Sequence, residues 1–337
     1  MKRVESITTM DSGKPDDLLL VSASFEEERC LAAAKLLSDY SVRCGVVVNF
    51  ESKLNARGEE KKRSTSEQLI DIVGSYDTNG IPRHLVVAGH DVVDLTRELK
   101  GELRGRGIGL SGLRVTLDIS CLTKIQLAGI LRFFLSRGVA KRIRILYSYP
   151  KEYNTSGWDR YSKLAAGFKS PIVLPFQGFA RNAAETESRL AVVCVGHEGE
   201  RTFAAWRSAD AEVTWLVEGT SENEKVMEAC RLENRFLYEY VSRGRAGHAK
   251  FSFGSRDLEA VSVNLGTMFD RQGDWQNTQI SVIPFGPKPI LVGLLFAILS
   301  RSNLHAQLVY PVTTGYNSDY SWGIEGVYSS ELDVPPT

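Results

Sequence analysis

The 337-residue sequence has no surplus of either charge, with 41 Lys and Arg against 41 Asp and Glu. That balance excludes a dominantly electrostatic nucleic-acid binder, which needs a strongly basic surface, although a local basic groove stays open. Cysteine is scarce. The five thiols are odd in number and show no C-x-x-C spacing, which argues against a disulfide framework or a cysteine zinc site and for a reducing compartment. No apolar run reaches the roughly 18 residues of a membrane helix, and the longest lies around Pro289–Leu299. The start, MKRVESITTMDSGKPDD, carries no apolar stretch behind its basic residues and does not read as a secretory signal. These absences point to a cytoplasmic protein without membrane segments. There is also no P-loop, no G-x-S-x-G and no H-E-x-x-H, and His84, His90, His197, His248 and His305 lack ligand-like spacing. The run Gly107 to Gly112 satisfies G-x-G-x-x-G literally but precedes a strand, the reverse of the order a dinucleotide site needs.

What is present is a repeat. Lys124 to Arg137, KIQLAGILRFFLSR, lies over Lys288 to Arg301, KPILVGLLFAILSR, with seven identities in fourteen positions at a constant offset of 164. Each segment follows a strand-like run, VTLDIS or ISVIPF, and precedes another, RIRILYSYP or AQLVYPV. A Tyr-Asn pair with a later Trp follows in both copies. Upstream, LLLVSASFEEERC matches LAVVCVGHEGERT, placing Glu28 and Arg29 on Glu200 and Arg201. Matching polar residues at strand–helix junctions favour internal duplication over a generic likeness between strand–helix units.

Within each half, short apolar runs alternate with helical patterns. Strands are expected over 18–23, 44–50, 84–88, 113–119 and 142–149, then over 190–195, 212–217, 249–253, 279–284 and 306–312. The polar stretch 51–66 reads as a solvated loop before a helix at 67–76, and one long helix is expected over 222–240. Strands of four to eight apolar residues alternating with helical patterns mean parallel sheets covered on both faces. The expected fold is α/β, with two Rossmann-like doubly wound domains at 1–161 and 188–337. The connection 162–187 contains two prolines and is a candidate for a swapped strand.

In such sheets ligands sit beyond the carboxyl ends of the strands, near the switch in strand order. Lys124 and Lys288 fall in first helical turns, where the macrodipole disfavours a cation by about 0.3–1 kcal/mol. An anion on the free amides there would explain both lysines; solvated side chains lying over the sheet edge are the alternative. Ser120 is a candidate helix cap, and Gly286 a point of close backbone approach. Arg29 and Arg201 are candidates to bind a phosphate or, with their neighbouring glutamates, to bridge loops. Asn154 and Asn317, with Tyr153 and Tyr316, are placed to hold a base or to close the sheet ends. Asp118 is a candidate acid or base, or a residue that holds its loop.

Asp118-Ile-Ser-Cys-Leu-Thr-Lys124, ending a strand and opening a helix, resembles the D-x-T/S-G-G-T-K motif of CARF domains. These are Rossmann-like sensors of cyclic oligonucleotides in prokaryotic antiviral systems, and SAVED domains fuse two such units. The resemblance covers about seven residues and implies ligand-binding roles for Ser120, Thr123 and Lys124 and, through the repeat, for Lys288. Cys121 and Leu122 replace the two glycines of the motif, and the second half lacks the Asp. The implied function is a nucleotide-ligand-sensing or scaffold subunit of a defence-type system, with an effector or other protein subunit, or a second copy, as partner. The alternative is a nucleotide-processing hydrolase of glycosidic or phosphodiester bonds, using Glu28, Asp118 or Glu200 as acid or base. No cofactor is identified by the sequence.

Overall fold

The computed structural model describes residues 1–51, 56–87, 92–136, 138–153, 168–175, 188–244, 246–271, 275, 277–313 and 321–335. The chain divides into two compact α/β units, Met1–Ala166 with Gly315–Thr337, and Gly167–Thr314.

The first unit contains β1 (Lys2–Val4), β2 (Leu18–Ala23), α1 (Glu27–Ala34), β3 (Gly45–Phe50), α2 (Ala56–Tyr76) and β4 (Arg83–Val87). It continues with α3 (Val92–Gly105), β5 (Leu113–Asp118), α4 (Lys124–Leu135) and β6 (Ala140–Tyr153). The second holds β7 (Phe168–Pro175), β8 (Ser188–Val195), α5 (Gly199–Ala209), β9 (Val213–Thr220), α6 (Glu224–Glu233) and α7 (Arg235–Ser242). It closes with β10 (Ala249–Gly254), α8 (Leu258–Arg271), β11 (Thr278–Pro284), α9 (Lys288–Leu299) and β12 (His305–Thr313). The last strand, β13 (Ser321–Asp333), belongs to the first unit.

Among the described residues the first sheet runs β1-β13-β6-β5-β2-β3-β4 and the second β10-β9-β8-β11-β12-β7. Read outward from its antiparallel edge strand, the second gives β7-β12-β11-β8-β9-β10, the same order and sense as β13-β6-β5-β2-β3-β4. The central strands β2 and β11 are buried at every position, as parallel strands covered on both faces must be. Leu19, Val21 and Ala23 of β2 pack with Cys30, Leu31 and Ala34 of α1 and Leu69 and Val73 of α2 in one core.

The Rossmann-like α/β class is as expected, but the partition of the chain is not. Residues 321–333 do not belong with the second half of the sequence. They pair antiparallel with β6 along the register from Ser321↔Tyr153 to Asp333↔Arg142. The proline-bearing connection supplies β7, which pairs antiparallel with β12. The strand that follows β6 thus joins the second sheet, and the strand that follows β12 joins the first. Prolines suit an edge strand, where a missing N–H breaks no central ladder.

Two helices also differ from expectation. The polar stretch is helical from Ala56, because Lys62, Thr65 and Ser66 turn inward and are buried while the other charges stay outside. The helix expected over 222–240 breaks at Asn234, whose buried side-chain amide donates to Gly196 O at 2.6 Å and Cys230 O at 2.8 Å. No helix among the described residues is long and apolar enough to cross a membrane.

Candidate functional site

In the first sheet β2 lies between β3 and β5, so the direction of winding reverses between β2 and β5. In the second, β8 lies between β9 and β11. The crevice beyond the carboxyl ends of such a strand pair is the general ligand position of open α/β sheets. The loops that rim it are 24–26 and 119–123 in the first unit, and 196–198 and 285–287 in the second. Arg29, Ser120, Thr123 and Lys124 gather at the first crevice, and Arg201, Gly286 and Lys288 at the second.

Thr123, not Ser120, caps α4. Its hydroxyl accepts from Gln126 N at 3.4 Å, and Gln126 Oε1 accepts from Thr123 N at 2.8 Å, which makes a reciprocal capping box. Ser120 stands too far ahead of the first helical residue to serve. Its fully buried hydroxyl donates to Asp118 Oδ1 and accepts from Ser148 N at 2.8 Å. Asp118 also accepts from Ser120 N at 2.9 Å. Both groups therefore lock the β5–α4 loop to β6. Lys124 is the first residue of α4 and half-buried.

Arg29 is 7% exposed and bridges protein groups. Its Nη1 meets Glu26 Oε1 at 2.8 Å, its Nε donates to Ser148 O at 3.2 Å, and its guanidinium lies 5.7 Å from the Tyr147 ring centre. The second unit repeats this arrangement. Arg201, 5% exposed, meets Glu198 Oε2 at 2.6 Å, donates to Pro311 O at 3.2 and 2.6 Å, and lies 5.0 Å from both the Phe285 and Tyr310 rings. Burial alone would lower its pKa; the charge of Glu198 and the proximity of Tyr310 outweigh that and raise it. The loop-bridging reading of the arginines is the one the geometry follows, with the partner glutamate three residues upstream rather than adjacent. Glu28 instead accepts from Gly323 N at 2.7 Å.

Gly286 does permit a close backbone approach, but to protein. A Cβ there would stand 3.1 Å from Cys194 Cβ and 3.2 Å from Val195 O. Its neighbour across the crevice is tighter still, since a Cβ on Gly196 would lie 1.9 Å from Phe285 O. Lys288 is half-buried and opens α9, which has Pro287 as its N-cap and no side-chain cap. Asn154, Asn317 and Tyr316 lie outside the described residues; the Tyr153 backbone pairs with Ser321.

No protein family and no curated protein matches this chain.

Sequence patterning missed the polar groups set beside the crevices. In the first unit a cavity of about 510 Å³ opens between α2 and the ends of β3 and β4, lined by Asn49, Glu51, Lys62, Arg63, Ser66 and His84 among others. Lys62 Nζ donates to Phe50 O, and burial lowers the pKa of that ammonium. Ser66 Oγ and His84 Nε2 hydrogen-bond at 3.2 Å, and desolvation lowers the imidazole pKa. At the corresponding place in the second unit, Glu218 of β9 is 1% exposed and bonded by Arg231 at 3.0 Å, Tyr238 at 2.8 Å and Ser252 at 3.2 Å, with Lys250 Nζ at 3.3 Å. The only advance signal was a polar residue, Asn49 or Glu218, near the end of an otherwise apolar strand. Cys30 and Cys121 were likewise unmarked, yet their sulfurs stand 2.9 Å apart across the first crevice. Among the described residues no cluster of three or more His, Cys, Asp or Glu could hold a metal ion.

Proposed function

We propose that this chain is a ligand-sensing or scaffold subunit that takes a phosphate-bearing ligand, of nucleotide class, at the N-termini of α4 and α9. One observation carries the reading: in both units a half-buried lysine is the first residue of the helix that leaves the central switch-point strand. A cation there opposes the helix dipole, and an anion bound beside it is attracted by both the helix N-terminus and the ammonium, which offsets that cost. The equal strand order of the two sheets supports descent of the units from one duplicated design. With the Asp118–Lys124 resemblance to CARF domains, the chain reads as a CARF/SAVED-like component of a prokaryotic defence-type system, working in the cytoplasm with an effector subunit or a second copy. The hydrolase reading has no such paired observation behind it: Asp118 is bound up with Ser120 and Glu28 with the Gly323 amide, and Glu200 is an exposed residue in the first turn of α5.

Native mass spectrometry of the purified full chain tests this first, by a retained nucleotide. Titration of that nucleotide against Lys124→Met and Lys288→Met follows. Each lost charge-assisted contact contributes about 1.5–3 kcal/mol, so each variant binds about ten-fold or more weakly. Two variants that melt lower and bind unchanged would make the lysines structural and overturn the proposal.

A further inference from the structure

We propose that Cys30 and Cys121 are a peroxide-reactive thiol pair that closes into a reversible disulfide, joining the start of α1 to the β5–α4 loop. All five cysteines are free thiols, and these are the two whose sulfurs meet, at 2.9 Å. A disulfide bond is about 2.05 Å long, so closure asks for a movement of under about 1 Å. The two thiols are unequal. Cys121 is partly buried on its loop, whereas Cys30 is 1% exposed under α1. Burial, and then the neighbouring Cys121 sulfur, raise the Cys30 thiol well above the ordinary range. The reachable sulfur is therefore the one that attacks, and the buried one resolves.

The chemistry balances with hydrogen peroxide as the oxidant. The Cys121 thiolate attacks one peroxide oxygen, the O–O bond breaks, and Cys121 becomes a sulfenic acid while the other oxygen leaves as water after protonation. The Cys30 sulfur then attacks the Cys121 sulfur, the S–O bond breaks, and the hydroxide released takes the Cys30 proton. Two thiols are oxidised by two electrons, one peroxide is reduced, and two waters form. An external thiol reverses the bond by exchange.

The second unit provides an internal control. Where the repeat places Cys30, it has Thr202, buried, with its hydroxyl donating to Glu198 O at 2.8 Å. Where it places Cys121, it has Phe285. The fold of such a crevice thus does not need sulfur at either position. The remaining thiols Cys44, Cys194 and Cys230 are buried, and burial pushes Cys44 up to about 12.

The test treats the reduced full-length protein with one equivalent of hydrogen peroxide, then unfolds it in an alkylating agent. Alkylatable thiols are expected to fall from five to three, with one tryptic species linking the Cys30 and Cys121 peptides, and dithiothreitol should restore all five. Cys30→Thr, which copies Thr202 of the second unit, should instead accumulate a dimedone-reactive sulfenic acid at Cys121. The wild-type peptide map stands alone if that variant fails to fold. Five thiols still alkylatable, or Cys121 driven to the sulfinic acid beside a free Cys30, would overturn the proposal.

Discussion

Replacing Arg201 by Met keeps most of the side-chain volume and removes the guanidinium from the second crevice. The Glu198–Arg201 pair is 2.6 Å long, with side chains 12% and 6% exposed, so neither charge has ready recourse to water. The substitution also leaves Pro311 O without its two donors, at 3.2 and 2.6 Å, and takes a cation from beside the Phe285 and Tyr310 rings. Removing one partner of a buried ion pair costs about 3–5 kcal/mol, because the other charge is left stranded. With a urea slope of about 2 kcal/mol/M, the unfolding midpoint should fall by about 1.5–2.5 M. Tryptophan fluorescence reads this unit well, since Trp215 and Trp275 are 1% and 6% exposed within it. Adding Glu198→Gln to the variant removes the stranded carboxylate and should recover about 1–2 kcal/mol, a coupling typical of residues in contact. Arg201→Lys should recover little, because an ammonium lacks the planar fork that reaches both Glu198 and Pro311. A midpoint unchanged in Arg201→Met, together with weakened phosphate binding, would refute the structural role and return Arg201 to the ligand.

The paired glycines give a second expectation. A Cβ on Gly129 would lie 1.9 Å from Val92 Cγ1, and one on Gly293 would lie 2.3 Å from Leu258 O. Gly129→Ala should cost about 1–3 kcal/mol by overpacking, and Val92→Ala should relieve it. Gly293→Ala meets a backbone carbonyl that cannot step aside and should cost more, both measured by thermal or urea unfolding. Glu218 sets a pH window. Burial alone would raise its pKa, but hydrogen bonds from Arg231 and Tyr238 and the charge of Lys250 bring it down to about 2. Its carboxylate therefore stabilises the fold above its ordinary value of 4.5, and that contribution is lost as pH falls from there toward about 2. Glu218→Gln should remove this part of the acid slope and lower stability at pH 7; an unchanged slope would count against the network.

The α/β class was legible because runs such as LLLVSA and ISVIP are mostly apolar and show no polar face, as strands of a parallel sheet covered on both faces do. The coincidence of Gly129 with Gly293 was legible as a pattern, and packing explains it: each lets a neighbouring helix approach α4 or α9. The junction residues were legible as a set but not in their roles. Whether Arg29 faces a phosphate or Ser148 O depends on a partner 119 residues distant, and whether Ser120 caps a helix or ties Asp118 to β6 depends on one turn of backbone and a partner 28 residues away. The alternation along Ser321–Asp333 is compatible with a strand, but nothing local says which sheet it joins.

Local composition and periodicity thus determined the parallel strands of both sheets, most of the helices between them and their order, because those follow from side-chain hydrophobicity and backbone geometry within a few residues. Tertiary structure alone decided the exchange of β7 and β13, the inward turn of Lys62 and the meeting of Cys30 with Cys121. Each of these is a choice among partners remote in sequence, made by the free energy of satisfying buried polar groups and filling space.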